Sequence, residues 1–199
     1  MNDDVLVINT TPTRVVDKSL TVFPNFDDSN KVLLDKLEDF DIEEIGKPEI
    51  NSFIKKMKRA MIDNNGLGLS ANQCGYKFRM FVMGSEEQQI TCINPKIIKT
   101  YGNPVKMREG CLSYPGMYLY VPRYEKIDAE YYDETGKLCR DTFDGITSQV
   151  YQHELDHMNG IVYTEHVGPL ALKLAKDRQN KLMQKVKKYV LSSGDNNGK

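Results

Sequence analysis

Long apolar runs are missing from this 199-residue sequence. None approaches the ~20 residues that a bilayer-spanning helix requires, so no membrane partner is expected. The opening stretch MNDDVLVINTTP is acidic and has no arginine and no signal-length apolar core. It matches neither a secretory signal nor a transit peptide, which leaves the cytoplasm as the expected compartment. Excess charge of either sign is also missing, since the formal net charge is -1. That excludes the global basic signature of a nucleic-acid binder, and no DNA partner is expected. The four cysteines, Cys74, Cys92, Cys111 and Cys139, include no C-x-x-C pair. A zinc ribbon and a thioredoxin-like motif are thereby excluded, and free thiols in a reducing compartment are expected. No internal repeat is present.

What the chain does have is 40% hydrophobic residues, enough for one domain with a real core. The first 47 residues show little periodicity, and their acidic part around FPNFDDSNKVLLDKLEDFDIEEIG reads as an extended arm with one short helix. Beyond Pro48, the residues Ile50, Phe53, Ile54, Met57 and Met61 recur at helical spacing. Pro48 suits a first helical turn, and DNNG supplies a stop. Residues 66–145 hold short segments rich in Val, Ile, Tyr and Phe: FRMFVMG, ITCINPKII, VKMREG, MYLYVP, KIDAEYYD and LCRDTFD. Gly, Asn and Asp punctuate them, and DETG reads as a hairpin turn. Such short connections predict antiparallel pairing, because a parallel pair needs a long crossover. A helix is predicted from about Thr147 to Asn159, with Gly160 as its C′ residue. Another is predicted from near Pro169 to about Leu191, with Lys173, Lys176, Arg178, Lys181, Lys185, Lys187 and Lys188 on a basic side. The tail 192–199 is expected to be disordered. Strands followed by helices indicate the α+β class, with a helix lying on a sheet.

The segment YQHELDHMNG carries His153 and His157 four residues apart, with Glu154 after the first. On a helix, positions i and i+4 share a face, so both imidazoles can grip one ion. Glu154 lies roughly 100° around the helix from His153, a poor place for a ligand and a good one for a base acting on water beside the ion. H-E-x-x-H also occurs by chance among ordinary core and surface histidines. A catalytic site of this kind needs a third protein ligand and an open position. The metzincin spacing would put a histidine where Tyr163 stands; Gly160 fits that pattern, but His166 comes three residues late. Glu165 is too close in sequence to act as a gluzincin ligand. The third ligand must then come from elsewhere, and Cys111, in REGCLSYPG, leads: a thiolate suits zinc or ferrous iron, and a strand there is expected to end in a Gly- and Pro-bearing turn. For Cys74, Cys92 and Cys139 a buried structural thiol is the expected role.

Three stretches now stand in fixed order: GLGLSANQ (66–73), EGCLS (109–113) and QHELDH (152–157). Together they resemble the peptide deformylase family, which is marked by G-x-G-L-A-A-x-Q, E-G-C-L-S and Q-H-E-x-D-H in that order. INPKI, VPRYEKI and DETGK extend the resemblance to roughly residues 48–190, a multi-part match of far greater specificity than one H-E-x-x-H. The first motif departs once, at Ser70, where Ala is usual; little effect on the backbone is expected. Asn65 also replaces an acidic residue that many relatives carry before the first Gly. The resemblance implies antiparallel strands wrapped around a central metal-binding helix, with an N-terminal and a C-terminal helix. It implies one catalytic domain over residues 1–191, in which the acidic segment 22–46 has no assigned role. The implied reaction removes the formyl group from N-terminal formyl-methionine of nascent polypeptides and releases formate. The implied cofactor is one divalent ion, Fe2+ in the cell, with Zn2+, Ni2+ or Co2+ as replacements.

On this reading Cys111, His153 and His157 are the metal ligands and Glu154 is the base. The resemblance adds the Gln73 side-chain amide and the Leu112 backbone N–H as donors to the tetrahedral oxyanion, each worth ~3–4 kcal/mol by mutation. It adds Gly68 and Gly110 as positions whose backbone lines the substrate, and Glu109–Arg123 as an ion pair bracing the cysteine loop. Asp156 falls beside the ligands as an orienting or salt-bridging residue. The spacing of Ile146, Val150, His153 and His157 puts them on one helix face, whose apolar end would line a pocket for the methionine side chain, with Leu67 opposite. Gln149 stands in this wall where the family is commonly apolar. The basic side of the last helix reads first as a solvated face and alternatively as a ribosome contact. Two other readings stay open: a zincin-type metallopeptidase, and a structural or catalytically silent metal protein.

Overall fold

The computed structural model describes residues 20–23 and 31–194; expectations for residues 1–19, 24–30 and 195–199 lie outside them. Helix α1 spans Pro48–Asp63 with Pro at its first turn, where a missing N–H leaves no helical bond unmade. It buries Phe53, Ile54, Met57, Ala60 and Met61 as one stripe. The chain leaves the helix through Asn65, whose φ of 55° is a left-handed conformation that asparagine tolerates.

Seven strands follow, all paired antiparallel. They are β1 (Gly68–Ser70), β2 (Met80–Gly84), β3 (Gln89–Tyr101), β4 (Val105–Cys111), β5 (Tyr114–Arg123), β6 (Lys126–Tyr132) and β7 (Leu138–Asp144). Five form one sheet in the order β1-β2-β3-β6-β7, and β4-β5 form a separate hairpin. Along β5 the alternation expected of a half-buried strand is plain: Met117, Leu119, Val121 and Arg123 are buried, and Tyr118 and Tyr120 are exposed. The reversal after Cys111 differs from the expected Gly- and Pro-bearing turn. Leu112 and Ser113 make the turn, Cys111 pairs with Tyr114, and Pro115 and Gly116 lie inside β5. A two-stranded ribbon has only edge strands, so proline is tolerated there. Strand β1 carries no periodic signal of its own; pairing with β2 makes it a strand.

Helix α2 spans Gly145–Met158, starting two residues before the expected Thr147, and Gly160 follows with φ 72°. Tyr151, Leu155 and Met158, at i, i+4 and i+7, pack with Phe81, Ile127, Ala129 and Tyr131 of the five-stranded sheet. The Tyr151 and Phe81 rings meet edge to face at 5.2 Å. His153 and His157 lie on another side of α2, towards the hairpin.

Among its described residues the acidic arm holds two 3-10 turns, Lys31–Leu34 and Ile42–Glu44. It is strapped over the end of α2. Leu33 and Leu37 are buried, and the Leu37 N–H donates to the Met158 carbonyl at 2.9 Å. Arg79 holds the junction by donating to the Met158 and Leu37 carbonyls at 3.0 and 3.3 Å. The Asn94 side chain takes both backbone groups of Phe40, at 2.7 and 2.8 Å.

Helix α3 spans Pro169–Gly194, three residues past the expected end. Ala175 and Gln179 are buried one turn apart, and the Gln179 amide donates to the Pro115 carbonyl of β5 at 2.8 Å. The seven basic residues named above are all exposed. Among the described residues no helix is long and apolar enough to cross a membrane.

Gly160 lies under the strap, where a Cβ would meet the Leu34 carbonyl oxygen at 2.7 Å and the Lys36 nitrogen at 2.9 Å. Gly160→Ala therefore combines a left-handed φ with backbone overlap and is expected to destabilise the fold by about 1–3 kcal/mol. Thermal unfolding of the variant checks this, and an unchanged Tm would show that the strap is not held there.

Candidate metal centre

Three elements converge between α2 and the hairpin: α2 itself, the β4–β5 turn, and the 3-10 turn Ala71–Cys74 that follows β1. Cys111, His153 and His157 each bring one ligand atom, and these atoms lie within 4.8 Å of one another. Cys111 Sγ is 3.4 Å from His157 Nε2. Both imidazoles are buried. The spacing-derived pair and the thiol reached by elimination are thus brought together by the fold.

Glu109 decides how His153 is turned. Its Oε2 lies 2.9 Å from His153 Nδ1. That bond assigns the proton to Nδ1 and leaves Nε2 for the cluster, a common arrangement behind histidine ligands. Arg123 binds the same carboxylate through Nε at 2.6 Å and Nη2 at 3.1 Å. Burial opposes ionisation of Glu109, but its bonds to His153 and Arg123 outweigh it and hold the pKa at about 2. The expected Glu109–Arg123 brace is present, and it also touches a candidate ligand. The signal was available: Glu109 and Cys111 are two apart on a strand and share a face.

Asp156 extends the same network. Its Oδ2 accepts from Arg123 Nη1 at 2.6 Å and faces His166 Nε2 at 2.7 Å. His166, too late in sequence for a metzincin ligand, pairs with this carboxylate instead.

Glu154 is buried, and its Oε2 has no hydrogen-bond partner. Burial pushes its pKa up to about 7, against the pull of the charge on His153. A converging thiol and two imidazoles, one already fixed by a carboxylate, fit a divalent transition metal. The unsatisfied carboxylate oxygen beside them fits a group that takes a proton from water.

Burial drives His157 well below the ordinary imidazole range, helped by charge on His153. For His153 burial acts the same way, yet its bonds to Cys111 and Glu109 prevail and lift it well above that range.

Gln73 reaches the cluster from the 3-10 turn. Its Nε2 donates towards Cys111 Sγ at 3.4 Å and Ser113 Oγ at 3.2 Å. Leu112 occupies the hairpin turn, where its side chain sits against Gly66; a Cβ on Gly66 would be 2.7 Å from Leu112 Cδ1. At Gly68 a Cβ would overlap Glu154 Oε1, so glycine there admits the carboxylate. At Gly110 a Cβ would be 2.8 Å from the Tyr118 ring. Of the expected pocket residues, Leu67 and Ile146 are exposed and Val150 is half-buried. Gln149 is buried, and its amide donates to the Arg108 carbonyl at 2.8 Å, tying α2 to β4.

Comparison with known proteins gives one answer at three levels. The polypeptide deformylase family model matches residues 24–173. A peptide deformylase of Synechocystis is 35% identical over 144 residues, covering 69% of this chain and 77% of that protein. One from Aquifex aeolicus is 30% identical over 173 residues, covering 84% of this chain and 97% of that protein. The crystal structure of a Synechococcus elongatus peptide deformylase in complex with actinonin superposes with a TM-score of 0.74 at 31% identity, over 88% of this chain and 94% of that one. A Legionella pneumophila peptide deformylase gives 0.75 at 28% identity, over 83% and 96%.

Glu109→Gln removes the carboxylate charge and one of its two acceptor oxygens, so that His153 Nδ1 and the Arg123 guanidinium compete for the one that is left. Metal affinity, measured by competition with a chelator, is expected to fall roughly 10–100-fold. Unchanged affinity would reduce Glu109 to a loop brace.

Proposed function

The chain belongs to the polypeptide deformylase family, and from that premise we propose which of its residues carry the reaction. The enzyme is a hydrolase that removes the formyl group from N-terminal formyl-methionine of newly made polypeptides, giving formate and a free α-amine. Cys111, His153 and His157 would hold a divalent ion, which when bound supplies the Lewis acidity that activates water near neutral pH and polarises the formyl carbonyl.

The remaining work falls to the chain. Glu154 takes the proton of the attacking water, and a pKa lifted to about 7 by burial suits a base working near neutrality. As the C–N bond breaks, Glu154 returns that proton to the leaving amine. The Gln73 amide and the Leu112 N–H donate to the carbonyl oxygen as it gains charge. The backbone at Gly68 and Gly110 lines the peptide. Leu67, Ile146 and Val150 surround the methionine side chain, and Gln149, its amide held by Arg108, offers its methylene stem to that wall.

The observation that carries the reading is the Gln73 amide donating into the Cys111 cluster. A zincin-type metallopeptidase accounts for two histidines and a glutamate on one helix, but for neither Gln73 nor the cysteine loop. Fe2+ is the proposed ion in the cell. Thiolate and imidazole suit ferrous iron and zinc alike, so Zn2+, Ni2+ or Co2+ would substitute. The cytoplasm is the proposed compartment, where nascent formylated chains emerge.

Metal analysis of anaerobically purified protein, paired with turnover of formyl-Met-Ala-Ser, tests the reading directly. Glu154→Ala is expected to keep its metal and lose roughly 10²–10⁴-fold in rate. Near wild-type turnover by a metal-loaded variant would sink the assignment of the base.

The basic side of α3 is proposed to meet ribosomal RNA phosphate. Truncation after Asn180 spares Ala175 and Gln179, which pack on the hairpin, and removes Lys181, Lys185, Lys187 and Lys188. Peptide turnover should persist while co-sedimentation with ribosomes is lost. Retained co-sedimentation would make the removed lysines a solvated face.

A further inference from the structure

Ser70 is the fixed position at which the first motif departs from the deformylase pattern, and it is fully buried beside the site. Its one hydroxyl proton faces two amide oxygens, Asn72 Oδ1 at 2.8 Å and Gln73 Oε1 at 3.1 Å. Neither oxygen can turn away. The Asn72 amide nitrogen is committed to the His157 carbonyl at 2.8 Å, which aims its oxygen back at Ser70. The Gln73 oxygen accepts from the Ser70 backbone N–H at 2.9 Å, a partner that cannot accept from an amide nitrogen. The Gln73 nitrogen in turn faces Cys111 Sγ and Ser113 Oγ. Two buried acceptors that converge repel each other unless a donor lies between them, and a buried acceptor left without a donor is costly. The Ser70 hydroxyl is that donor, shared as a three-centre bond.

We infer that Ser70 is a positioning residue: by bridging the amide oxygens of Asn72 and Gln73, its hydroxyl holds the Gln73 amide nitrogen aimed at the reacting carbonyl. The inference rests on the oxyanion role proposed for Gln73. Alanine is usual at this position in the family, so the reaction does not need a hydroxyl as such. In this chain Asn72 creates the need, by setting a second amide oxygen against that of Gln73. The effect is on side chains, which is why a backbone argument at Ser70 does not reveal it.

The test is a double-mutant cycle in the metal-loaded full chain. Ser70→Ala is expected to lower kcat for formyl-Met-Ala-Ser by roughly three- to ten-fold, the rate equivalent of one neutral hydrogen bond, with KM unchanged. In a Gln73→Ala background the same substitution is expected to change kcat no further. A Ser70→Ala enzyme with wild-type kcat overturns the inference. So does a loss that carries over undiminished into the Gln73→Ala background, because it would place the hydroxyl's effect on Glu154, which also lies within its reach. The geometry has a readout without turnover. In the zinc-loaded chain, Ser70→Ala should shift the Gln73 side-chain NH2 resonances while distant backbone amides stay in place; unmoved Gln73 signals overturn the inference. If the wild-type chain fails to deformylate, the function proposed for the site falls, and the resonance measurement still decides the placement of Gln73.

Discussion

The buried carboxylate of Glu109 is the constraint on which the site depends. It lies between Arg123 on the neighbouring strand and His153 on α2, at 2.6 Å and 2.9 Å. The Arg123 guanidinium spans from Glu109 on the hairpin to Asp156 on the helix. Removing one partner from such a buried network typically costs ~3–5 kcal/mol, because the remaining charge is left without compensation. The network therefore sets the position of the helix against the hairpin. It also sets the rotation of the His153 ring and the nitrogen it presents. Cys111, two residues beyond Glu109 on the same strand face, is placed by the same event.

Around this centre the three motifs interlock pairwise. Glu109 and His153 join the second motif to the third. Gln73 with Cys111, and Gly66 with Leu112, join the first to the second. Asn72 with His157, and Gly68 with Glu154, join the first to the third. Each glycine of the first motif is thus a packing requirement. A side chain at Gly68 would collide with the carboxylate proposed as the base. The five-stranded sheet supplies the other side of α2, through Tyr151 and Met158, and Arg79 fixes the end of the helix under the acidic strap. Glu154 and its neighbours are held from both sides, which keeps its carboxyl buried and its pKa high.

Much of this was legible in the chain. The helix beginning at Pro48, the two later helices and six of the strands follow from periodicity and turn residues, because helix and strand repeats and their stop signals are local. Strand β1 was not legible, since three residues carry no period and become a strand only when β2 pairs with them. The reversal at Leu112–Ser113 was hidden by Pro115 and Gly116, which look like turn residues and lie within an edge strand. The path of the strap depends on Leu33 and Leu37 finding cores that other elements build. The dual role of Glu109 was partly legible in its spacing from Cys111, whereas the pairing of Asp156 with His166 joins two elements whose relative placement local pattern does not specify.

The amino-acid sequence by itself determined the donors: a thiol, two imidazoles on one helix face, a carboxyl beside them and an amide upstream. Residue type and local spacing suffice for the imidazoles and the carboxyl, because covalent order and helix repeat set both; the thiol followed by elimination and the amide from the resemblance of the three motifs. Only the tertiary structure decided their relations. It brought Cys111 within reach of the histidines, chose the nitrogen each imidazole offers, and lifted Glu154 while lowering Glu109, two carboxyls of the same chemistry. The reason is physical: burial and neighbouring charge act through space, and the contacts that join the three motifs, such as Gln73 with Cys111, Glu109 with His153 and Asn72 with His157, span 38 to 85 residues of chain.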